Sequence, residues 1–459
     1  MKLVFVHGWS VTNTDTYGEL PEAIQRLADF PIELNHIHLG RYISFHDEVS
    51  MEDVARAFNQ SLHDHLADDD GTIGAFSCIT HSTGGPVVRA WVELFYGKDG
   101  IAHMPLKHLV MLAPANHGSA LAALGKKRVG RIKAWFQGVE PGQRILDWLS
   151  LGSDGQHTLN KATLDYDSAK AGFFPFVLIG QTIDHAFYDF LNSYLVEKGS
   201  DGVIRVAGGN MNYNFIRMEQ SDEVIRKQPM TYSLKLSGGV QRPKAAPLGV
   251  IPDASHSGTK IGIMNSVTTQ NMQDKPVVAE IVKCLKVDNE EDYSSREQEL
   301  AALTEVSQQN SSKYQMIIFE VKDDRGETIR DYDLLILAGG NYSPSKLKKG
   351  FFVDRQYNPQ SGRLVYYVDA TLMRQLTKIG FRVVARPTSG FSHYACAEFR
   401  SEERAVEDLL QENESHYIEV ILRRRISKNT FELGGMSSKP MSFKKLKPSP
   451  QILDYPPEA

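Results

Sequence analysis

Between Ile79 and Gly85 the chain reads Ile-Thr-His-Ser-Thr-Gly-Gly, and this stretch constrains the fold more than any other because it sets a serine between a strand-like run and an apolar helix. Upstream, Ile73 to Thr80 is a short apolar segment, and downstream Val87, Val88, Trp91, Leu94 and Phe95 recur at helical spacing. A strand that turns straight into a helix needs small residues around the turn, because the crossing backbones come close. Gly84 and Gly85 meet that need, whereas Thr80 stands where glycine is usual, so Thr80-x-Ser82-x-Gly84 is a variant of the G-x-S-x-G elbow. Such a turn lifts a serine hydroxyl out at the end of a strand. The motif is weak alone, and its weight depends on the rest of the chain.

The chain begins with a second strand-like run, Leu3-Val4-Phe5-Val6, that ends in His7-Gly8-Trp9. Four apolar residues running into His-Gly read as a central strand followed by a loop, and equally as an ordinary strand with a glycine turn. If Ser82 attacks a carbonyl, two backbone donors must meet the charge that builds on its oxygen. The N–H of Thr83, at the start of a helix, and the N–H of Trp9 are the candidates for this oxyanion hole.

A third run, Leu109-Val110-Met111-Leu112-Ala113-Pro114-Ala115-Asn116-His117-Gly118-Ser119, closes a strand one helix and one strand beyond Ser82. With these residues in place the chain resembles the lipase and esterase branch of the α/β-hydrolases. There a strand ending in His-Gly, a serine elbow and an Ala-Pro-x-x-x-Gly-Ser segment follow in this order. The run from His81 to Arg89 is also similar to bacterial lipases and phospholipases. The resemblance covers roughly residues 1–285, and its combined motifs are far more specific than any one of them.

The resemblance implies an acid and then a histidine after the serine. Ser200-Asp201-Gly202-Val203 resembles the acid loop of lipases and makes Asp201 the candidate, although Asp-Gly is also an ordinary turn and Asp184 is a rival nearer the preceding strand. For the base, His256 ends the apolar run from Leu248 in a polar loop before the helical segment 276–285. Among the 15 histidines, His117 and His185 precede Asp201 and break the order, and His81, beside the nucleophile, is expected to point away from it. His7, Gly8, Trp135 and Trp148 are candidate substrate contacts.

Strands alternate with helices over residues 2–113, which implies a parallel sheet with right-handed crossovers. Residues about 119–172 change to helices without strands. There Leu121, Leu124, Val129, Ile132, Trp135 and Phe136 mix with Lys126, Lys127, Arg128, Arg131 and Lys133, as expected of a lid or cap over the site, with an apolar face for acyl chains. Residues 288–312 are acidic and polar and read as a linker holding a short helix at 295–307. Beyond them the period falls to two, in Met316 to Val321, Leu334 to Leu337, Leu364 to Val368, Gly380 to Val384 and Tyr417 to Leu422. Such strands suggest an all-β, sandwich-like domain over 313–440, followed by a basic, Pro-rich tail over 441–459. Arg423-Arg424-Arg425 and Lys444-Lys445-x-Lys447 could dock this part on an anionic membrane, or be no more than a solvated strand end and tail.

With 459 residues, 41% of them hydrophobic, the chain can bury a large core and is expected to divide in two, a hydrolase domain over 1–287 and the β domain. A formal charge of −5 argues against nucleic acid as the main partner. The three cysteines, Cys78, Cys284 and Cys396, show neither metal spacing nor a disulfide framework. No signal peptide or membrane-length apolar run is visible, so a cytoplasmic location is the default expectation and signal-independent export stays open. The resulting expectation is a serine ester hydrolase acting on lipids, first phospholipids. Ser82 would be the nucleophile, His256 the base and Asp201 the orienting acid, and no cofactor or metal would be needed. A general carboxylesterase, an acyltransferase, or an idle hydrolase fold serving as a membrane-docking or interaction module are the alternatives, and the oligomeric state is open.

Overall fold

The computed structural model describes residues 1–7, 17–38, 48–125, 142–183, 198–376, 378–402 and 409–428. Its first sheet has six parallel strands. These are β1 (Lys2–His7), β2 (Glu33–His38), β3 (Phe76–His81), β4 (Leu106–Leu112), β5 (Phe174–Ile179) and, after two long strands that leave for a second sheet, β6 (Tyr213–Lys227) and β7 (Met230–Gln241), β8 (Leu248–Val250). Their order is β2-β1-β3-β4-β5-β8. The chain moves outward from β1 to β2 and then reverses past β1 to β3. Right-handed crossovers therefore put α1 (Leu20–Leu27) on one face, and α2 (Met51–Leu66) and α3 (Gly84–Phe95) on the other. The carboxyl ends of β1 and β3, where the direction reverses, form the crevice in which sheets of this kind bind ligands. Ser82 follows β3 at that point.

Burial explains why the central strands read as continuous apolar runs. Every residue of β3 and β5 is buried, as expected for a parallel sheet covered on both faces. α2 starts as its sequence indicates, with a capping box in which the Ser50 side chain accepts from Asp53 N–H and the Asp53 carboxylate accepts from Ser50 N–H.

The second sheet has nine strands, ordered β10-β13-β15-β7-β6-β16-β9-β12-β11. Its later strands are β9 (Tyr314–Asp323), β10 (Tyr332–Ala338), β11 (Phe352–Tyr357), β12 (Leu364–Asp369), β13 (Ile379–Ala385), β15 (Cys396–Arg400) and β16 (Ser415–Leu422), with β14 (Ser392–Tyr394) and β17 (Arg424–Ile426) as a separate pair. The sheet is mixed, because β16 runs parallel to both β6 and β9 and β15 runs parallel to β7. It also curls. Phe319 on β9 and Phe381 on β13, well apart in strand order, meet with ring centroids 5.0 Å apart. Ile317, Phe319 and Val321 point into the curl, while Met316 and Ile318 join Tyr314, Val365, Tyr367 and Tyr417 in a layer that includes Leu151, Ala207 and Tyr213.

Two features depart from the expected domain plan. Residues 213–241, within the stretch assigned to the hydrolase domain, pair instead with β16 and β15 of the second sheet. The segment expected as a linker holds an 18-residue helix, Glu290–Ser307. It buries Tyr293 and Leu300 in the core around the first sheet, and it covers the edge strand β8. Thr304 Oγ1 accepts from Val250 N–H at 2.9 Å and donates to Leu248 O at 3.0 Å, and Ser307 Oγ donates to Val250 O at 2.6 Å. An edge that would otherwise expose backbone groups is satisfied by hydroxyls.

The described part of the helical insertion comprises helices Ala120–Gly125, Gln143–Leu149 and Asp154–Ala162. It is wedged between the two sheets. Asn358 Nδ2 donates to Leu151 O at 3.1 Å, Ser361 Oγ to Gly152 O at 2.8 Å, and Arg363 binds Asp154 at 2.7 Å and Glu320 at 2.8 Å. The basic stretch from Lys126 to Lys133 lies outside the described residues. Among the described residues no helix is long and apolar enough to cross a membrane.

Candidate active site

Ser82 sits at the tip of β3 with φ at 54°, a conformation uncommon for a residue with a side chain. The surrounding backbone holds it there. Ser82 N–H donates to Leu112 O at 3.0 Å, and Ser82 O accepts from Ala115 N–H at 3.3 Å. The glycines after it allow α3 to approach. A Cβ on Gly84 would lie 3.1 Å from Val6 O and 3.3 Å from Thr80 Cβ, and one on Gly85 only 2.8 Å from Pro114 Cβ. Thr80 is tolerated in the first small position because its neighbour across the turn, Gly84, has no side chain.

His256 and Asp201 are carried to Ser82 on loops. His256 Nε2 lies 3.2 Å from Ser82 Oγ, and its Nδ1 lies 2.9 Å from Asp201 Oδ2. The other carboxylate oxygen of Asp201 accepts from Val203 N–H at 2.9 Å and Ile204 N–H at 2.7 Å. Asp201 is fully buried and His256 nearly so. A carboxylate that accepts only N–H donors receives the Nδ1 proton of His256, leaving Nε2 as a lone pair facing the serine hydroxyl. Ser82 Oγ, the His256 ring and the Asp201 carboxylate are thus in hydrogen-bond reach in series, an arrangement capable of acyl-transfer chemistry on serine.

The sequence-derived candidates fall out as follows. Ser82, Asp201 and His256 come together. Thr83 caps α3, so its N–H lies at the helix N-terminus beside the nucleophile. His7 ends β1, whose Val6 pairs with Thr80 two residues before Ser82. Gly8, Trp9, Trp135 and the rival acid Asp184 lie outside the described residues. Trp148 is half-buried on the main core, with its ring against the backbone of Gly155. Among the described residues no group of His, Cys, Asp and Glu is placed to hold a metal ion.

His81 packs beside His256: its ring lies 4.6 Å from the His256 ring and its Nε2–H donates to His256 O at 3.1 Å. Sequence reasoning missed the group beneath the elbow. Arg89 on α3 is buried and donates to Asn116 Oδ1 at 3.1 Å, Asn160 Oδ1 at 2.8 Å and Thr163 Oγ1 at 3.2 Å. Asn160 Nδ2 reaches Tyr417 Oη on the second sheet at 3.0 Å, and His117 Nδ1 reaches the same hydroxyl at 2.8 Å. Burial and the Arg89 charge push His117 down to about 3, so it stays neutral in this network. An arginine about two helical turns beyond the serine was the available signal.

Comparison with solved structures places the chain in a family. Phospholipase PlaB from Legionella pneumophila is 40% identical over 98% of this chain and 97% of that one, with a TM-score of 0.85, in a complex with thio-NAD. The chain belongs to this phospholipase family. A second PlaB structure is 41% identical over 95% and 96% of the two chains, with a TM-score of 0.86. No protein-family model and no curated protein matches the chain. Both halves of the molecule, the hydrolase sheet and the curled sheet, fall within the PlaB match, whereas the sequence resemblance reached only the first.

Proposed function

We propose that the chain is a phospholipase that hydrolyses carboxylic ester bonds of phospholipids through Ser82, His256 and Asp201. The observation that carries this reading is the continuous hydrogen-bonded series from Ser82 Oγ through His256 to a fully buried Asp201 carboxylate. The near full-length likeness to a phospholipase supports lipid as the substrate class.

In this reading Ser82 Oγ attacks the acyl carbonyl while His256 Nε2 takes its proton. The resulting oxyanion is met by Thr83 N–H, with Trp9 N–H as the second donor expected from the sequence. Collapse of the tetrahedral species breaks the ester C–O bond, and His256 returns the proton to the departing alcohol, a lysophospholipid. Water then attacks the acyl-serine with His256 again as base, freeing a fatty acid and restoring Ser82. Asp201 keeps the Nδ1 proton in place throughout and stabilises the imidazolium that forms twice per cycle. An acceptor other than water would convert the same steps into acyl transfer.

Peripheral contact with an anionic lipid surface belongs to the same proposal, but two of the three arginines at 423–425 are already paired with carboxylates. Arg423 pairs with Asp222, Arg424 binds Glu327 at 2.7 Å, and Arg425 lies 4.2 Å from the Tyr232 ring centroid. Lys444, Lys445 and Lys447 lie outside the described residues. The test is a set of vesicles of defined phospholipids beside a neutral triacylglycerol and a short soluble ester, with products identified by mass. Release of fatty acid and lysophospholipid supports the reading. Turnover of the soluble ester with none of any phospholipid would return the enzyme to the general carboxylesterases.

A further inference from the structure

The loop that presents Asp201 rests on the second sheet as well as on the first. Ser200 and Arg205 face each other in an antiparallel bridge, Asp201 N–H donates to Ile204 O at 3.1 Å, and Val206 N–H donates to Gly199 O at 3.0 Å. Residues 199–206 therefore form one closed turn with Asp201 inside it. Gly199 has φ at 74°, and a Cβ there would lie 2.3 Å from the Tyr314 ring and 2.6 Å from the Tyr367 hydroxyl, so the bare backbone of the turn touches the sheet. The Tyr367 hydroxyl is shared between Lys198 O at 3.0 Å and Gly199 O at 3.2 Å.

Arg205 closes the turn from the other side. Only 3% of its side chain is exposed. Its guanidinium lies 4.2 Å from the Tyr367 ring centroid, touches Met316 Sδ at 3.6 Å and pairs with the Asp354 carboxylate on β11. A buried ion pair is a poor source of net stability, because desolvation consumes most of the Coulomb gain and apolar side chains would join the two sheets as well. A guanidinium offers directional control instead. Held by the ring on one side and by the carboxylate through Nη2 on another, it fixes the turn against sliding.

We propose that Arg205, clamped between Asp354 and the Tyr367 ring, is a positioning residue through which the second sheet fixes where Asp201 offers its carboxylate to His256. The local N–H groups of Val203 and Ile204 orient the carboxylate within the turn, but they travel with the turn. Arg205 and Tyr367 place the turn as a body. This inference rests on the reading of Asp201 as the orienting acid, and it gives the curled sheet a part in turnover that needs no contact with substrate.

The test uses the full chain with a soluble ester, measuring kcat, KM and the melting temperature for Arg205→Met, Tyr367→Phe and Asp201→Asn, singly and combined. Arg205→Met is expected to lower kcat about 10- to 100-fold, the scale of a small misplacement of catalytic groups, with KM nearly unchanged. Arg205→Lys should recover little, since an ammonium keeps the charge without the planar fork. On the Asp201→Asn background Arg205→Met should add less than about twofold, because the alignment it protects has already lost its use. A merely structural pair would instead give losses that multiply. If Arg205→Met does not fold, Tyr367→Phe, which keeps the ring and removes one hydroxyl, carries the same comparison with a loss of about threefold to tenfold that vanishes beside Asp201→Asn. Full kcat in a folded Arg205→Met protein, or multiplying losses, overturns the clamp. An Asp201→Asn enzyme with undiminished kcat would overturn the acid assignment itself and is read separately.

Discussion

His256 and Asp201 are joined twice: the backbone N–H of His256 donates to Asp201 O at 3.0 Å, and the ring Nδ1 meets the Asp201 carboxylate at 2.9 Å. The first bond sets the distance between the two loops and the second sets the tautomer of the ring. Asp201→Asn keeps the first and destroys the meaning of the second, since an amide can donate to Nδ1 and drive the proton to Nε2. We expect kcat to fall by about 10⁴ with a native melting temperature. Steady-state kinetics on a soluble ester check this, and a damaging Asp184→Asn beside a harmless Asp201→Asn would move the acid to the rival position.

His81 should matter for turnover without touching the proton that moves. Its ring packs against the His256 imidazole at a tilt of 46° and its Nε2–H holds the His256 carbonyl. Replacing it by alanine frees both, and a loss of about tenfold in kcat at constant KM is expected. His81→Phe, which restores a ring but no donor, should recover part of that loss. An alanine variant with wild-type kcat would make the contact incidental.

Acid should destabilise the protein through its buried histidines. Burial holds His108 and His416 down at about 4, while burial together with nearby Arg363 and Lys322 holds His157 down at about 3. The unfolded chain protonates these rings near 6.5. Between about 6.5 and 4 it therefore binds more protons than the native state, and stability falls as pH falls. Each histidine contributes at most about 1.4 kcal/mol per pH unit. His108 accepts from Ser77 Oγ and donates to Val287 O, both at 2.7 Å, two bonds that a glutamine can imitate. Urea midpoints across this range should show a shallower slope for His108→Gln, and an unchanged slope would contradict the assignment.

A chain ending at Val287 should not fold. It keeps Ser82, Asp201 and His256 but strands β6 and β7 without β16 and β15, removes the helix that satisfies β8, and bares the turn around Asp201. Expression in inclusion bodies, or a soluble product without a cooperative melt, is the expected result. A folded and active fragment would show that the sheets are independent.

The first sheet and the three central side chains were legible because each carries a local signal: apolar runs, a serine between strand and helix, and an Asp and a His in the order that this fold demands. β9 was legible for the same reason, since both of its faces are buried and Met316 to Phe319 are all apolar. The helix Glu290–Ser307 was underread because its contacts are not an apolar stripe. Tyr293 and Leu300 enter the core, but Thr304 and Ser307 work through hydroxyls, and Glu290, Glu291 and Asp292 make its start look like a linker. β6 and β7 escaped notice because Ser221 to Lys227 and much of β7 are polar or partly exposed, so only the short alternation from Ile216 to Gln220 marks a strand.

The account turns on Ser82 as the group that becomes acylated. The most direct measurement is treatment of the full chain with a fluorophosphonate, followed by mass mapping of the adduct and assay on phospholipid vesicles. The account predicts one adduct, on Ser82, with hydrolysis lost in proportion to labelling, and no adduct at that position in His256→Ala. Undiminished phospholipid hydrolysis by a protein fully labelled at Ser82, or inactivation by an adduct elsewhere with Ser82 untouched, would contradict it.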